Sequence, residues 1–322
     1  MVRHVLILMT VICLAVSATA DPLPSWIDTP VKAAVMEWVD AVTDADGPDF
    51  IPAPERVAVF DNDGTFWCER PDYPSTLFQA SLVRSFAAEG RIDGSAMPFS
   101  AWIDDDRDAL RDFGMRQAYA TMNKAFGGMP SSAYRDSALA FVDRSVHPKY
   151  GVRFDQLYYD PMLELARLLE SRGFQVWVVT GSEQDFIRSF IERATGIPPE
   201  RVIGSWTPAV SSQEGDEIKV VRGEVQVYNG HQAKPGNIDT RIGRRPVFSA
   251  GNSDNDQPMC RYTLTGKHRA LVLWIHHDDD GREYDYDHST GTIADLVEER
   301  ADALEVSVKR DWGDLYRYDD RP

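Results

Sequence analysis

The sequence predicts an α/β fold, a doubly wound parallel sheet core with an inserted all-helical cap. Three observations lead to it. Short apolar runs at 57–60, 174–179 and 246–250 each end in a polar, glycine-containing turn, the pattern of buried parallel strands. Segments of helical periodicity alternate with these runs, as crossover units of a parallel sheet require. Between the first two runs lies a long stretch with helical spacing and no strand pattern.

Residues 1–20 read as a secretory signal peptide. Arg3 and His4 form a basic start, 5–16 an apolar core, and Ala18-Thr19-Ala20 a small-residue cleavage pattern before Asp21. The apolar core is too short for a stable membrane span, and no other stretch is apolar enough for one. The expectation is export to a periplasm or the exterior, with cleavage after Ala20. Cys13 lies inside the apolar core and lacks the small-residue run expected before a lipidated cysteine.

Residues 21–55 precede the core. Val31, Val35, Trp38, Val39 and Val42 form an apolar stripe at helical spacing, which reads as a helix packed on the sheet. Residues 56–70 and 155–322 are assigned to the core and 71–154 to the cap. Periodic runs within 77–142 are punctuated there by Gly90, Gly94, Gly114, Gly127, Gly128 and Pro130. Arg107, Arg111 and Arg116 are cap cations that fit a solvated helix surface better than a substrate contact.

The first apolar run delivers Asp61 and Asp63, two residues apart, into a turn at Gly64-Thr65. Side chains alternate along an extended chain, so both carboxylates face one side, at the strand end where open α/β sheets bind ligands. Two acids held there repel unless a cation or a shared proton intervenes, and a hard divalent cation such as Mg²⁺ suits oxygen donors. Downstream, 174–179 leads into Thr180-Gly181-Ser182. A helix before it has Pro161 in its first turn and Gly173 at its stop, and another is expected after it from Glu183. A hydroxyl there, with free N–H groups at a helix start, can hold phosphate oxygens. Lys234 stands before a Pro-Gly turn upstream of the next strand, which favours it over Lys219 and Lys267 as a site cation. The run at 246–250 then enters Gly251-Asn252-Ser253-Asp254-Asn255-Asp256.

Taken in order, Asp61-x-Asp63-Gly64-Thr65, Thr180, Lys234 and the 251–256 turn resemble the four motifs of the haloacid dehalogenase superfamily in its phosphatase form. The similarity covers most of the chain and is greatest to the phosphoserine-phosphatase-like branch, whose helical cap follows the first motif. It implies a Rossmann-like core and transfer through a covalent aspartyl-phosphate. Asp61 would be the nucleophile and Asp63 the general acid and base. Thr180 and Lys234 would hold phosphoryl oxygens, with the backbone at Gly64 and Gly181 as substrate contacts. Mg²⁺ would be held by Asp61, the Asp63 carbonyl, Asn252 and, through the shell, Asp256. Glu69 sits close to where phosphoserine phosphatases keep a substrate-reading acid.

The fourth motif departs from the family pattern. Asn252 stands where an aspartate is usual, so the cation site has one formal charge fewer unless Asp254 supplies it. An exported, Mg²⁺-dependent phosphomonoesterase for a small phosphorylated metabolite is the favoured function. A phosphotransferase, or a non-catalytic phospholigand-binding protein, is the alternative. Dehalogenation is disfavoured because it needs no acid at position 63, and ion pumping because it needs many membrane spans.

The balance of 34 basic against 51 acidic residues, a net charge of −17, argues against nucleic acid and anionic membrane surfaces as partners. An anionic substrate must therefore be drawn in locally. Cys68 and Cys260 each follow an active-site motif, and an oxidising compartment permits a bridge between them. Residues 218–221 and 224–228, with Arg222-Gly223 between, read as a β-hairpin. The run at 270–275 is a further buried strand, and His276-His277 with the acids after it read as a polar loop.

Overall fold

The computed structural model describes residues 20–286 and 291–316. The signal-peptide assignment falls, but for Ala20, outside the described residues. Among those described, no helix is long and apolar enough to cross a membrane.

Among the described residues nine strands follow in order: β1 (Val57–Phe60), β2 (Gln175–Glu183), β3 (Val202–Ser205), β4 (Ala209–Glu214), β5 (Glu217–Arg222), β6 (Phe248–Gly251), β7 (Leu271–Asp278), β8 (Asp285–Tyr286) and β9 (Ala303–Ser307). The main sheet runs β3-β2-β1-β6-β7-β8, with β9 also pairing β7. All its pairings are parallel except β7 with β8. The chain steps outward from β1 to β2 and β3, then returns to the other side of β1 for β6 and β7. This reversal places a crevice at the carboxyl end of β1, where doubly wound sheets bind ligands. Val57, Val59 and Val179 pack on one face of the sheet, and Ala58, Phe60 and Val178 on the other. Burial on both faces explains why these strands read as unbroken apolar runs.

The N-terminal helix, Pro30–Thr43, has no capping side chain but does have Pro30 in its first turn. It buries Val35, Trp38, Val39 and Val42. Trp38 packs its ring 5.6 Å from Phe174 and 5.8 Å from Phe248, locking the helix across the feet of two strands. At the other end of the chain, Trp312 meets Trp26 edge-on at 6.2 Å.

Six α-helices lie between β1 and β2: Pro74–Ala88, Phe99–Asp104, Arg107–Phe113, Met115–Ala125 and Ser131–Arg144, which form the helical layer, and Asp160–Ser171, which leads into β2. Phe78, in the first, stacks at 5.1 Å on Phe186 beside the second motif and meets Tyr134 of the fifth at 5.2 Å. This aromatic seam holds the helical layer against the sheet. Arg107 pairs with Asp72, and Arg111 with Asp108, on the cap surface.

The hairpin forms upstream of its expected place. β4 pairs antiparallel with β5, and Gly215-Asp216 is the two-residue loop, whereas residues 224–228 form no strand. Gly215 has φ +63° at the first loop position, where a tight hairpin favours glycine. Arg222-Gly223 cannot serve as the turn because Arg222 is spent on the cap. Its backbone N–H donates to Met129 O, and its carbonyl accepts from Gly128 N, both at 2.9 Å. Cys68 and Cys260 are both buried free thiols, pushed up to about 12 chiefly by burial.

Candidate active site

The first motif leaves β1 as a tight turn that folds back on itself. Asn62 O accepts from the N–H groups of Thr65, Phe66 and Trp67, and Gly64 N donates to Trp67 O at 2.8 Å. Gly64 has φ +75°, and a Cβ there would lie 2.0 Å from Asn252 Nδ2. Only glycine lets the first and fourth motifs approach so closely.

Lys234 enters from the helix Ala233–Ile242 and is completely buried. Its Nζ donates to Asp61 Oδ1 at 2.6 Å, Asp256 Oδ1 at 2.5 Å and Val179 O at 2.9 Å. Burial pulls the ammonium's pKa down, but the charges of Asp256 and Asp61 outweigh it and the group stays protonated. The competitors lie elsewhere: Lys219 pairs with Glu214 on the hairpin, and Lys267 with Glu55. Burial, and then Asp256, push Asp61 well above the usual carboxylate range against the pull of Lys234. Asp61 Oδ2 takes no hydrogen bond among the described residues, and Asp61 lines the cavity under the cap.

Asp63 is held by the second motif. Thr180 Oγ1 donates to Asp63 Oδ2 at 3.0 Å and Ser182 Oγ at 2.7 Å. Burial pushes the Asp63 carboxyl up to about 6, opposed by the Ser182 and Thr180 hydroxyls and assisted by the Glu69 charge. Ser182 thus makes the shorter of the two contacts. The helix expected after this motif is only Gln184–Arg188, and the Glu183 carboxylate caps it by accepting from Phe186 N at 2.9 Å. Its first turn is therefore not an open row of phosphate donors, and the N–H of Ser182 goes to Thr180 Oγ1 at 3.0 Å. Gly181 lines the cavity.

In the fourth motif, Asp256 Oδ2 accepts from the N–H groups of Asn252 and Ser253, each at 3.1 Å, while its Oδ1 takes Lys234. Asp256 therefore shapes the loop and holds the lysine. Asp254 Oδ1 accepts from Ile293 N at 3.0 Å, at the start of the helix Thr292–Glu299. Asn252 instead donates through Nδ2 to Glu69 Oε1 at 3.1 Å, and both residues are buried. Glu69 thus meets the fourth motif as well as lining the cavity.

Among the described residues no three His, Cys, Asp or Glu side chains gather as a metal cluster. The residues of the first and fourth motifs that line the cavity floor, Asp61, Asp63 and Asn252, offer oxygen donors: carboxylate, backbone carbonyl and amide oxygen. Such a set fits a hard cation and not a soft one.

Two further residues escaped the sequence reading. His277 belongs to β7, not to a loop. Its Nε2 faces the Gly64 carbonyl at 2.6 Å and its Nδ1 faces Glu283 Oε2 at 2.7 Å, whereas His276 turns to the opposite side and meets Glu305. Asn229 is also completely buried, and its Nδ2 donates to Thr180 O at 2.9 Å and Ile203 O at 3.0 Å. Strand alternation separates the two histidines only once β7 is known to run through them; nothing local marks Asn229.

Above these residues lies a cavity of about 1270 Å³ between sheet and cap. Asp61, Asp63 and Asn252 line its floor, and Tyr73, Arg116 and Tyr119 line its cap side. Of the three cap arginines singled out in the sequence, only Arg116 reaches it.

The profile of the haloacid dehalogenase-like hydrolases matches residues 58–261. No curated protein matches the chain. Among solved structures, a conserved protein of unknown function from Anaerococcus prevotii superposes with a TM-score of 0.52 at 16% identity, over 84% of this chain and 88% of that one. A protein of unknown function from Bordetella pertussis gives 0.49 at 14% identity, over 78% and 98%. A phosphoserine phosphohydrolase-like protein from Francisella tularensis gives 0.35 at 17%, over 75% and 99%. With Asp61, Asp63, Thr180 and Lys234 brought together at the carboxyl ends of the parallel strands and the profile spanning all of them, the chain belongs to the haloacid dehalogenase-like hydrolases.

Proposed function

We propose that this enzyme is an exported, Mg²⁺-dependent phosphomonoesterase that works through a covalent aspartyl-phosphate on a small organic phosphate. The observation that supports it most is the division of labour between the two carboxylates. Asp61 is tied by one oxygen to a buried lysine and leaves the other to the cavity, whereas Asp63 is held by two hydroxyls and pushed up to about 6. A nucleophile and an acid–base group need this contrast of environments.

In the first half-reaction Asp61 Oδ2 attacks phosphorus, and the bond from phosphorus to the alcohol oxygen breaks. Asp63 gives its proton to that departing oxygen. In the second, water attacks the phosphoryl group and passes a proton to Asp63. The bond to Asp61 breaks, and inorganic phosphate leaves. Lys234 fixes Asp61 for in-line attack and opposes the charge that gathers on the phosphoryl oxygens. Thr180 and Ser182 aim Asp63. Asp61, the Asp63 carbonyl and Asn252 are the groups that would hold Mg²⁺. The chemistry a bound cation supplies is charge, which favours ionised Asp61 and screens its approach to an anionic ester.

The test is hydrolysis of an aryl phosphate, then of a phosphometabolite panel, by the chain lacking residues 1–20. Mg²⁺-dependent release of phosphate is expected, removed by chelator and reduced by about 10⁴-fold or more in Asp61→Asn. Silence across the whole panel overturns the proposal. Alcohol added as an acceptor separates hydrolysis from phosphoryl transfer, and fractionation of the expressing cell tests the export.

A further inference from the structure

We propose that Glu69 is the positioning residue of the cation site, supplying through the Asn252 amide the negative charge that a carboxylate at position 252 would otherwise provide. The inference rests on the Mg²⁺-dependent reading above. Replacing Asp by Asn at that position removes one charge from a site whose ligand set already contains a neutral carbonyl. The nearest acid in the same loop, Asp254, is committed to Ile293 N. Asp256 is committed to Lys234 and to two backbone N–H groups. Glu69 remains. It is 3% exposed, and its Oε1 takes the Asn252 Nδ2 proton at 3.1 Å.

That contact does two things. An amide has one donating end and one accepting end, so engaging Nδ2 determines which end is left to ligate. Asn252 Oδ1 accepts no hydrogen bond among the described residues, and Asn252 lines the cavity floor. A full negative charge behind the amide also polarises it, which makes Oδ1 a better ligand for a cation. The fit is close. A Cβ on Gly64 would meet Asn252 Nδ2 and Cγ and also Glu69 Oε1, so the glycine turn leaves just enough room for this pair. The charge of Glu69 is felt around it: after burial, it is the next cause raising the Tyr73 and Tyr286 phenols. An acid that only read a substrate amine would not need its carboxylate bound to the fourth motif.

The test is Mg²⁺ binding to the full mature chain by calorimetry, without substrate, backed by the thermal shift that saturating Mg²⁺ produces. Wild type is expected to bind Mg²⁺. E69Q is expected to bind it about tenfold to a hundredfold more weakly, as loss of a ligand's outer partner does. The charge-conserving exchange E69Q/N252D is expected to return to within about threefold of wild type, because it restores the same total charge. Equal Mg²⁺ affinity in wild type and E69Q overturns the inference and leaves the phosphatase reading standing. Wild type that binds no Mg²⁺ overturns the Mg²⁺ reading itself, and this inference with it. Should E69Q fail to fold, the exchange decides alone: near-wild-type Mg²⁺ affinity supports the proposal, and loss of Mg²⁺ binding overturns it.

Discussion

His277 Nε2 lies 2.6 Å from the carbonyl oxygen of Gly64, so β7 reaches directly into the turn that follows Asp61 and Asp63. The ring's other nitrogen meets Glu283, whose carboxylate also takes the Tyr159 hydroxyl, and Tyr286 stacks on the ring at 4.5 Å. A carbonyl oxygen only accepts, and a carboxylate accepts when ionised, so the ring has reason to donate from both nitrogens. Burial pulls its pKa down, but Glu283, by its charge and its hydrogen bond, together with the Glu69 charge and the Gly64 carbonyl, leaves it raised above 6.5.

The sign of the pH dependence follows. A group whose folded pKa is raised stabilises fully below the unfolded value and loses that contribution as pH rises through the folded one. The gap in unfolding free energy between wild type and His277→Phe should therefore be widest below pH 6.5 and shrink toward alkaline pH. Urea titrations at several pH values measure it. A gap that is flat with pH would mean that the imidazole is neutral throughout.

Lys234 is enclosed by two acids and a carbonyl with no exposure to water. Removing one member of a buried ionic group leaves uncompensated charge and costs about 3–5 kcal/mol. Lys234→Ala should lower the urea midpoint accordingly and abolish activity. Lys219→Ala, on the exposed hairpin, should do neither.

Arg222 joins three parts of the molecule. Its guanidinium donates to Glu183 at 2.9 Å and to Thr207 at 3.1 Å and lies 3.7 Å over the Tyr134 ring of the cap. Arg222→Met should cost about 3 kcal/mol or more, since Glu183 is left buried and unpaired. It should also expose the hairpin Ala209–Arg222 to limited proteolysis before the sheet, and cleavage order is the measurement that checks this.

Gly64→Ala offers a different kind of test. The substitution sets a methyl group against Asn252 in a backbone conformation that L-residues avoid. Displacement of catalytic groups by about 1 Å costs on the order of a hundredfold. A fall of at least that size in kcat/KM is expected, with the far-UV circular dichroism unchanged.

Much of this site could be read from the chain because it sits where apolar runs end. Asp61, Thr180, Lys234 and Asp256 each follow or precede such a run, and burial on both faces makes those runs unmistakable. What stayed hidden depended on tertiary partners. Asp254 and Asn252 look equally able to supply a ligand until Ile293 and Glu69 claim one each. His277 could not be distinguished from a loop residue without knowing that β7 extends to Asp278. The hairpin slipped because exposed strands such as β4 leave no apolar alternation to fix a register, so Gly215 was the only local signal.

The sheet order also has a kinetic consequence. β1 is zipped on one side by pairing Val57 with Gln175 and on the other by pairing Ala58 with Phe248. The first pairing closes a loop that contains every cap helix, and the second waits for a still more distant segment. Local helical contacts form quickly, and such distant pairings form slowly. On refolding, far-UV signal should return well before Asp61 meets Lys234, so recovered turnover marks the last event and not the average one.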